Sequence, residues 1–507
     1  MALKHWRDGS TVFLIFAALF SLFSRTAADP DLWGHVKFGE DLWNSGKLVR
    51  SDPYSYLTGG QAWINHEWLA ELLLFFAYRF GGPSGLVVLK ACTSILIFGL
   101  LYHHLRREGF NVVSAAILLL TGSFPLLPYL LTVRPQAFTF LFFLLVALIV
   151  RRAEQGHCRG LWALPFIFAL WVNLHGGVLA GLGLLFLWLF FRVSFVIVEK
   201  RSLSVASHMA VIAPLVVAVF ATLLNPYGSE LLQFLVRTAT VARPEIIEWT
   251  PMKILSVEGA MYVSLLALAV AGLLQTQRER KPVPVALFVC MSVLPLVAVR
   301  HLPLFSIAAL VFVTDHIADF WNQRFSSRAV RDSSRRLLVM TALQVFTGVL
   351  LIGGALRNFQ CIRVSPAVSL FPARAIALLK ESKVSGNLAV HFDWGEYALW
   401  HLSPQIKVSM DGRRETVYSD AIYKETQDFM HGLGEWDRLL ERRQTDLALV
   451  SKKFASFNLM KLKPGWVAVY EDPMSALFVR EASRLAPRIQ ETTLPMLPYN
   501  GAGLCFP

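Results

Sequence analysis

The stretch TVFLIFAALFSLFSRTAADPDLWGHVKFGEDLW, Thr11 to Trp43, decides how the chain is read. Its first part, at about 11–27, is an apolar run of roughly the length a bilayer crossing needs. Lys4 and Arg7 stand before it, so the positive-inside rule keeps the N-terminus in the cytoplasm and delivers Asp29 to the outer face. Two aspartates, a histidine and a tryptophan (Asp29, Asp31, His35 and Trp33) therefore crowd the place where the chain leaves the membrane. The run also has the outline of a signal peptide, with small residues in SRTAADP, but the many apolar segments that follow need no removable leader.

The 507 residues are 55% hydrophobic and only 16% charged, against about 25% charged in soluble domains. This is the composition of a polytopic membrane protein. The net charge of +13 lies in short clusters between apolar segments. That is the pattern of cytoplasmic loops and excludes a basic face for nucleic acid. The five cysteines form no CxxC pair and no Cys/His cluster, which argues against a zinc site.

Working outward from the first span, Trp68–Phe80 is short, ends in GGPSG and reads as a helix lying at the interface. A second span at about 85–105 ends in the basic HHLRREG. Further spans are expected at about 111–130, 136–150, 161–174, 177–197, 205–223, 258–274, 283–299, 302–320 and 337–355, about eleven in all. Even-numbered spans end in basic clusters such as QRERK and RFSSRAVRDSSRR, and odd-numbered ones in sparsely charged loops. The fold class expected is a polytopic α-helical membrane domain, residues 1–355 with a first outer loop at about 28–84, followed by an α/β domain, 356–507.

In that tail NLAVHF, IKVSM, DLALVS, WVAVY and ALFVR read as strands, and WGEYALWHL and Ser419–Arg443 as helices. The odd number of spans places the tail outside, where disulfides persist, so Cys361 and Cys505 are expected to pair. DGRRE, Asp411–Glu415, reads either as a solvated surface turn or as a loop that helps bind an acceptor.

Ionisable residues at span ends are costly and usually functional. Asp29, Asp31, His35, His66, Glu67, Arg134, His175, Arg243, Arg300 and His301 come from separate loops, yet the topology gathers all of them at one face. Acids arrive from the first loop and bases mainly from later ones. That division suits a carboxylate that takes a proton and cations that receive a phosphate. Each residue also has a structural reading. Asp29-Pro-Asp31 is a good helix start, and His66–Glu67 could cap the interfacial helix. Trp33, Trp43, Trp63 and Trp68 suit an aromatic belt. Arg134 before Pro135 suits a snorkelling anchor. The glycines of NLHGG suit close helix packing, although His175 has no packing role that the sequence shows. Lys90 and Asp315 fall near or within spans with no visible partner.

DPDLWGHVKFGEDLWNSGKLVRSDPYSY and the later GGQAWINHEWLAE resemble the first outer loop of GT-C class membrane glycosyltransferases of bacteria. RPQAF, NLHGG and NPYG resemble their later outer turns, and WGEYALWHLSPQIKVSMDGRRETVY resembles the soluble tail of one bacterial branch. The resemblance implies transfer of a hexosyl or pentosyl group from a polyprenyl-phosphate donor to an acceptor hydroxyl on a glycan, lipid or protein. The setting implied is the outer face of a bacterial inner membrane, with membrane lipids as neighbours. Asp31 or Asp29 would be the base, and Glu67 a second acid with Glu245 in reserve. Arg134, Arg300, His301 and Arg243 would meet the leaving phosphate, with His175, His35 and His66 nearby. Some members need a divalent ion (Mg or Mn), which Asp29 and Asp31 would hold. A lipid-linked oligosaccharide ligase would share the topology without needing the first-loop acids. A transporter or flippase would carry its charges near the midplane. A scaffold would use the acids as caps alone.

Overall fold

The computed structural model describes residues 2–198, 205–241, 243, 246–325, 334–364, 371–494 and 504–507. They divide into two compact units: Met1–Arg25 with Val87–Phe359, and Thr26–Leu86 with Gln360–Pro507. The first loop thus folds with the C-terminal segment, although it was expected as an appendage of the membrane domain.

The first unit is helical. Among the described residues, six helices are long and apolar enough to cross a membrane: His5–Ser24, Trp68–Arg107, Gln136–Glu154, Val178–Val198, Val257–Gln275 and Arg335–Asn358. Two bent pairs, Val112–Gly122 with Phe124–Leu130 and Val299–Phe312 with Thr314–Arg324, raise the number to eight. By length and composition the described residues therefore give six to eight spans, which does not confirm the expected count of about eleven. Cys158–Leu174, Met209–Ala221 and Pro282–Val297, read as spans, have 17, 13 and 16 residues. At 1.5 Å per residue that is a rise of about 20–25 Å, against a hydrocarbon core of about 30 Å. GGPSG does interrupt the chain where expected. Gly82 takes φ 56°, ψ −147° just before Pro83, a conformation open to glycine and closed to other residues.

The first and last helices of this unit run side by side in the same direction. Ser10 Oγ donates to Gln344 Oε1 (2.5 Å) near one end, and Asn358 Nδ2 donates to Ser24 Oγ (3.0 Å) at the other. Phe13 packs on Gly348, where a Cβ would lie 2.4 Å from the ring. The chain therefore leaves this unit from the same end after Arg25 and after Phe359. Two charges read as unpartnered are paired. Lys90 Nζ donates to the carbonyls of Arg25 (2.9 Å) and Leu131 (3.0 Å), satisfying two helix ends. Asp315 meets Arg151 at 2.8 Å.

The second unit is built on a mixed sheet. Its strands are β1 (Arg363–Val364), β2 (Gly386–Val390), β3 (Ile406–Val408), β4 (Leu447–Ser451), β5 (Trp466–Glu471), β6 (Ser475–Arg480) and β7 (Leu504–Cys505). Five of them lie in the order β3-β2-β4-β6-β5, with β3, β2 and β4 parallel and β6 and β5 antiparallel. β4 is buried along its whole length, as the unbroken apolar run LALV requires. β1 and β7 form a separate antiparallel pair beside the Cys361–Cys505 disulfide, which is formed as expected. The first loop is part of this unit's core. Ser55 bridges Val408 at the edge of β3, with the Tyr56 amide donating to the Val408 carbonyl (3.1 Å). Trp33 and Trp63 are buried, at 0% and 4% exposure, so they are not belt residues. Trp33 packs against Phe371, Tyr397 and Phe506.

Candidate functional site

The loop helix Leu32–Ser45 begins directly after Asp31. A residue at this place ordinarily turns its side chain onto a free amide of the first turn. Asp31 does not. Its backbone is already helical (φ −81°, ψ −10°) and its side chain makes no capping bond. Asp29 takes the turn-forming role instead, its Oδ1 accepting from the Asp31 amide at 3.1 Å.

The amide that Asp31 leaves alone, Gly34 N–H, donates to Glu396 Oε2 at 3.0 Å. Glu396 belongs to the tail helix Gly395–Leu402 and is 4% exposed. A Cβ on Gly412 would stand 2.6 Å from Glu396 Oε1 and 2.7 Å from Asp31 Oδ1. Both carboxyl groups therefore meet at that bare Cα. Burial, reinforced by the charges of Asp31 and Asp411, pushes the Glu396 carboxyl well above the usual carboxylate range.

One helical turn beyond Asp31, His35 Nδ1 lies 3.8 Å from Glu67 Oε2 and 3.9 Å from Glu71 Oε1. These are ion-pair distances, too long for hydrogen bonds, and His35 Nδ1 is buried without a hydrogen-bond partner. Asn65 organises the two acids. Its Nδ2 donates to Glu71 Oε2 (2.5 Å) and its Oδ1 accepts from the Glu67 amide (3.1 Å). Burial pushes Glu67 up to about 7, against the pull of His35 and with the charges of Glu71 and Asp31 adding to the rise. Burial opposes charging of His35, but the two glutamates outweigh it and raise its pKa above the ordinary 6.5. His66 Nε2 stands 3.5 Å from the other Glu67 oxygen. The ligand atoms of His35, Glu67 and Glu71 all fall within 4.8 Å of one another. Asp29 and Asp31, expected as the metal ligands, are outside that group.

Asp411, Arg413 and Arg414 of the DGRRE loop are buried, which corrects the reading of it as a solvated turn. Arg413 pairs with Asp52 Oδ1 (2.8 Å) and Asp411 Oδ2 (2.7 Å). Its guanidinium lies 4.7–5.2 Å from the rings of Trp63, Tyr54 and Phe38. Tyr418 donates its hydroxyl to Asp411 Oδ2 (2.9 Å). The loop after β3 is thus bolted to the first loop, which fixes Gly412 beside Asp31.

The expected cations lie in the helical unit. Arg243 and Arg300 stack on Trp249, at 4.8 Å and 4.1 Å from its ring. Tyr129 stands within electrostatic reach of Arg300, Arg134 and Glu248. The backbone supports this group, with the Val299 amide donating to the Thr250 carbonyl (3.0 Å). Arg243 also donates to the Thr238 carbonyl (2.9 Å), and His301 Nδ1 lies 3.2 Å from the Leu294 carbonyl. His175 does have a packing role. Its Nδ1 accepts from the Gly177 amide (2.9 Å) and lies 2.9 Å from Thr139 Oγ1, closing the NLHGG turn. Glu245 lies outside the described residues.

The structure thus gathers the expected residues into two groups, acids with His35 and His66 in one unit and arginines in the other. Glu71, Asn65, Trp249 and Glu396 escaped sequence reading. Glu71 carried a signal, since it follows Glu67 by one helical turn. Glu396 carried none, being 362 residues from the amide it meets.

No protein-family model and no curated protein matches the sequence. Solved structures do match. The apo oligosaccharyltransferase of Archaeoglobus fulgidus aligns with TM-score 0.57 at 12% identity, over 87% of this chain and 69% of that one. The same enzyme tethered to an acceptor peptide containing the NVT sequon gives 0.57 at 14%, over 87% and 69%. Its complex with zinc and sulfate gives 0.52 at 12%, over 87% and 68%. ArnT from Cupriavidus metallidurans, in the apo state, gives 0.54 at 12%, over 94% of this chain and 98% of that one. At these identities the likeness is one of fold.

Proposed function

We propose, from the premise that this chain has the GT-C fold of membrane glycosyltransferases, that it transfers a hexosyl or pentosyl group from a polyprenyl-phosphate donor to an acceptor hydroxyl. The setting is the outer face of a bacterial inner membrane, with about eleven crossings and the C-terminal segment extracytoplasmic. The common exit of the first and last helices from one end of the helical unit supports that placement.

The observation that carries the reading is Asp31. It stands at a helix start without serving as the cap, beside a second acid, in the loop whose sequence resembles the acidic first loop of GT-C transferases. Asp31 takes the proton of the acceptor hydroxyl as that oxygen attacks the anomeric carbon. The bond to the phosphate oxygen breaks, and the polyprenyl phosphate leaves with the electron pair. Arg300 and Arg243, which lie 4.1 Å and 4.8 Å from the Trp249 ring, receive its charge, and the planar guanidinium suits two phosphate oxygens at once.

A divalent cation fits His35, Glu67 and Glu71, an imidazole with two carboxylates whose ligand atoms already converge. It would supply positive charge for a phosphate or a hydroxyl beside the acids.

The test is turnover by the full chain in nanodiscs, with radiolabelled polyprenyl-phosphate sugars extracted from bacterial membranes as donor pool. Asp31→Asn removes the basic group, and its turnover is expected to fall about 10²–10⁴-fold. Near-normal transfer by a well-folded Asp31→Asn protein would remove Asp31 as base.

A further inference from the structure

The first turn of a helix leaves amides without partners, and an aspartate at its start normally takes one of them. In the loop helix the third helical residue, Gly34, gives its amide to Glu396 instead, in a buried bond of 3.0 Å. We propose that Glu396 is a positioning residue for Asp31: it caps the loop helix from the C-terminal segment and so keeps the Asp31 carboxylate clear of the capping role.

Three glycines make room for this arrangement. Gly34 lies against the carboxyl group itself, since a Cβ there would stand 2.2 Å from Glu396 Cδ. Gly395, the residue before Glu396, is pressed on the loop after β3, where a Cβ would meet the Met410 carbonyl oxygen at 2.1 Å. Gly412 has the Asp31 and Glu396 oxygens on its open side. None of the three has a positive φ, so each is there for space and not for backbone freedom. The surroundings are equally fixed. Arg413 ties Asp411 to Asp52 on either side of Gly412, and the tail helix packs along the loop helix. The carboxyl ends of β2 and β3 therefore present Glu396 and Gly412 to Asp31, at the edge where open α/β sheets carry their functional groups. The mechanistic consequence rests on Asp31 being the base. The cap itself does not.

The cap is tested by amide hydrogen exchange of the full chain in nanodiscs, read in peptides covering Leu32–His35. Glu396→Ala is expected to speed exchange in this turn about tenfold. Glu396→Gln, whose amide oxygen still accepts, should restore protection, and Asp31→Ala should leave it unchanged. Gly34→Ala, which crowds the carboxyl group out, should reproduce Glu396→Ala should that variant fold poorly. Equal deprotection by Asp31→Ala, or none by Glu396→Ala and Gly34→Ala, would overturn the cap. Turnover with the same extracted donor pool then tests positioning. Glu396→Ala should lower kcat with KM within about twofold, and Glu396→Gln should restore it. Unchanged kcat in a deprotected Glu396→Ala protein would overturn the positioning role. Full activity of Asp31→Asn would instead remove the base reading, while the exchange result would stand.

Discussion

The acid group of one unit and the arginine group of the other hold their charges by different means. The frame around Asp31 comes from remote sequence: Gly34 gives its amide to Glu396, Gly412 lies beside the Asp31 carboxylate, and Asp52 meets Arg413. Arg243 and Arg300 share an aromatic partner, their guanidinium groups lying 4.8 Å and 4.1 Å from the Trp249 ring. A buried carboxylate needs donors on defined sides, and such a frame is assembled only by folding distant segments together. An arginine can lie on an indole face and keep its fork turned outward. The first kind of site is rigid and expensive to disturb.

Breaking the frame should have the largest effect. Arg413→Ala leaves Asp52 and Asp411 buried without their cation, and a loss of about 3–5 kcal/mol is expected. Chemical denaturation should show it as a lowered midpoint confined to the C-terminal unit. A loss below about 1 kcal/mol would place this arginine with the ordinary surface ion pairs.

The next effect is on pH dependence. Glu67 has its pKa raised from 4.5 to about 7, so the folded state holds a proton that the unfolded chain releases. Its contribution to stability is full below pH 4.5 and is lost as pH rises through 7. His35, raised above 6.5, likewise contributes below its unfolded pKa and is lost as pH rises through the folded one. Stability should fall by about 1–3 kcal/mol between pH 5 and 8 on account of Glu67. Thermal melts of Glu67→Gln should lack the lower part of that fall, and an unchanged slope would mean that Glu67 titrates normally.

Smaller effects separate the two groups further. Trp249→Ala removes one aromatic plane from two guanidinium groups, each contact being worth about 0.5–2 kcal/mol, and should weaken phosphate binding more than stability. Asp29→Ala removes the acceptor of the Asp31 amide and should cost about 1 kcal/mol in a melt. A large loss of turnover with no loss of stability would move the base from Asp31 to Asp29.

What the sequence disclosed follows the same division. Local pattern located the strands NLAVHF, IKVSM, DLALVS, WVAVY and ALFVR, the interruption at GGPSG and the apolar helices, because each is written in a few consecutive residues. The Cys361–Cys505 pair followed from topology. Trp33 and Trp63 were misread as interfacial because a buried tryptophan and a belt tryptophan look alike without their neighbours. His175 was misread because its partner Thr139 lies in another helix. In DGRRE, all polar in sequence, Asp411, Arg413 and Arg414 are buried because Asp52 waits for the loop across the fold. Cys158–Leu174, Met209–Ala221 and Pro282–Val297 read as spans on hydropathy, which sees composition before length. Glu396 was invisible for the deepest reason: nothing in WGEYALWHL distinguishes a solvated glutamate from one that caps a helix 362 residues away.

The claim at the centre is that the acids do chemistry while the arginines hold phosphate. Undecaprenyl phosphate binding, measured on the full chain in nanodiscs, tests it most directly. Asp31→Asn should bind as the wild type does, and Arg300→Ala should bind about 10–100-fold more weakly. The reverse pattern, with binding lost in Asp31→Asn and kept in Arg300→Ala, would contradict the account.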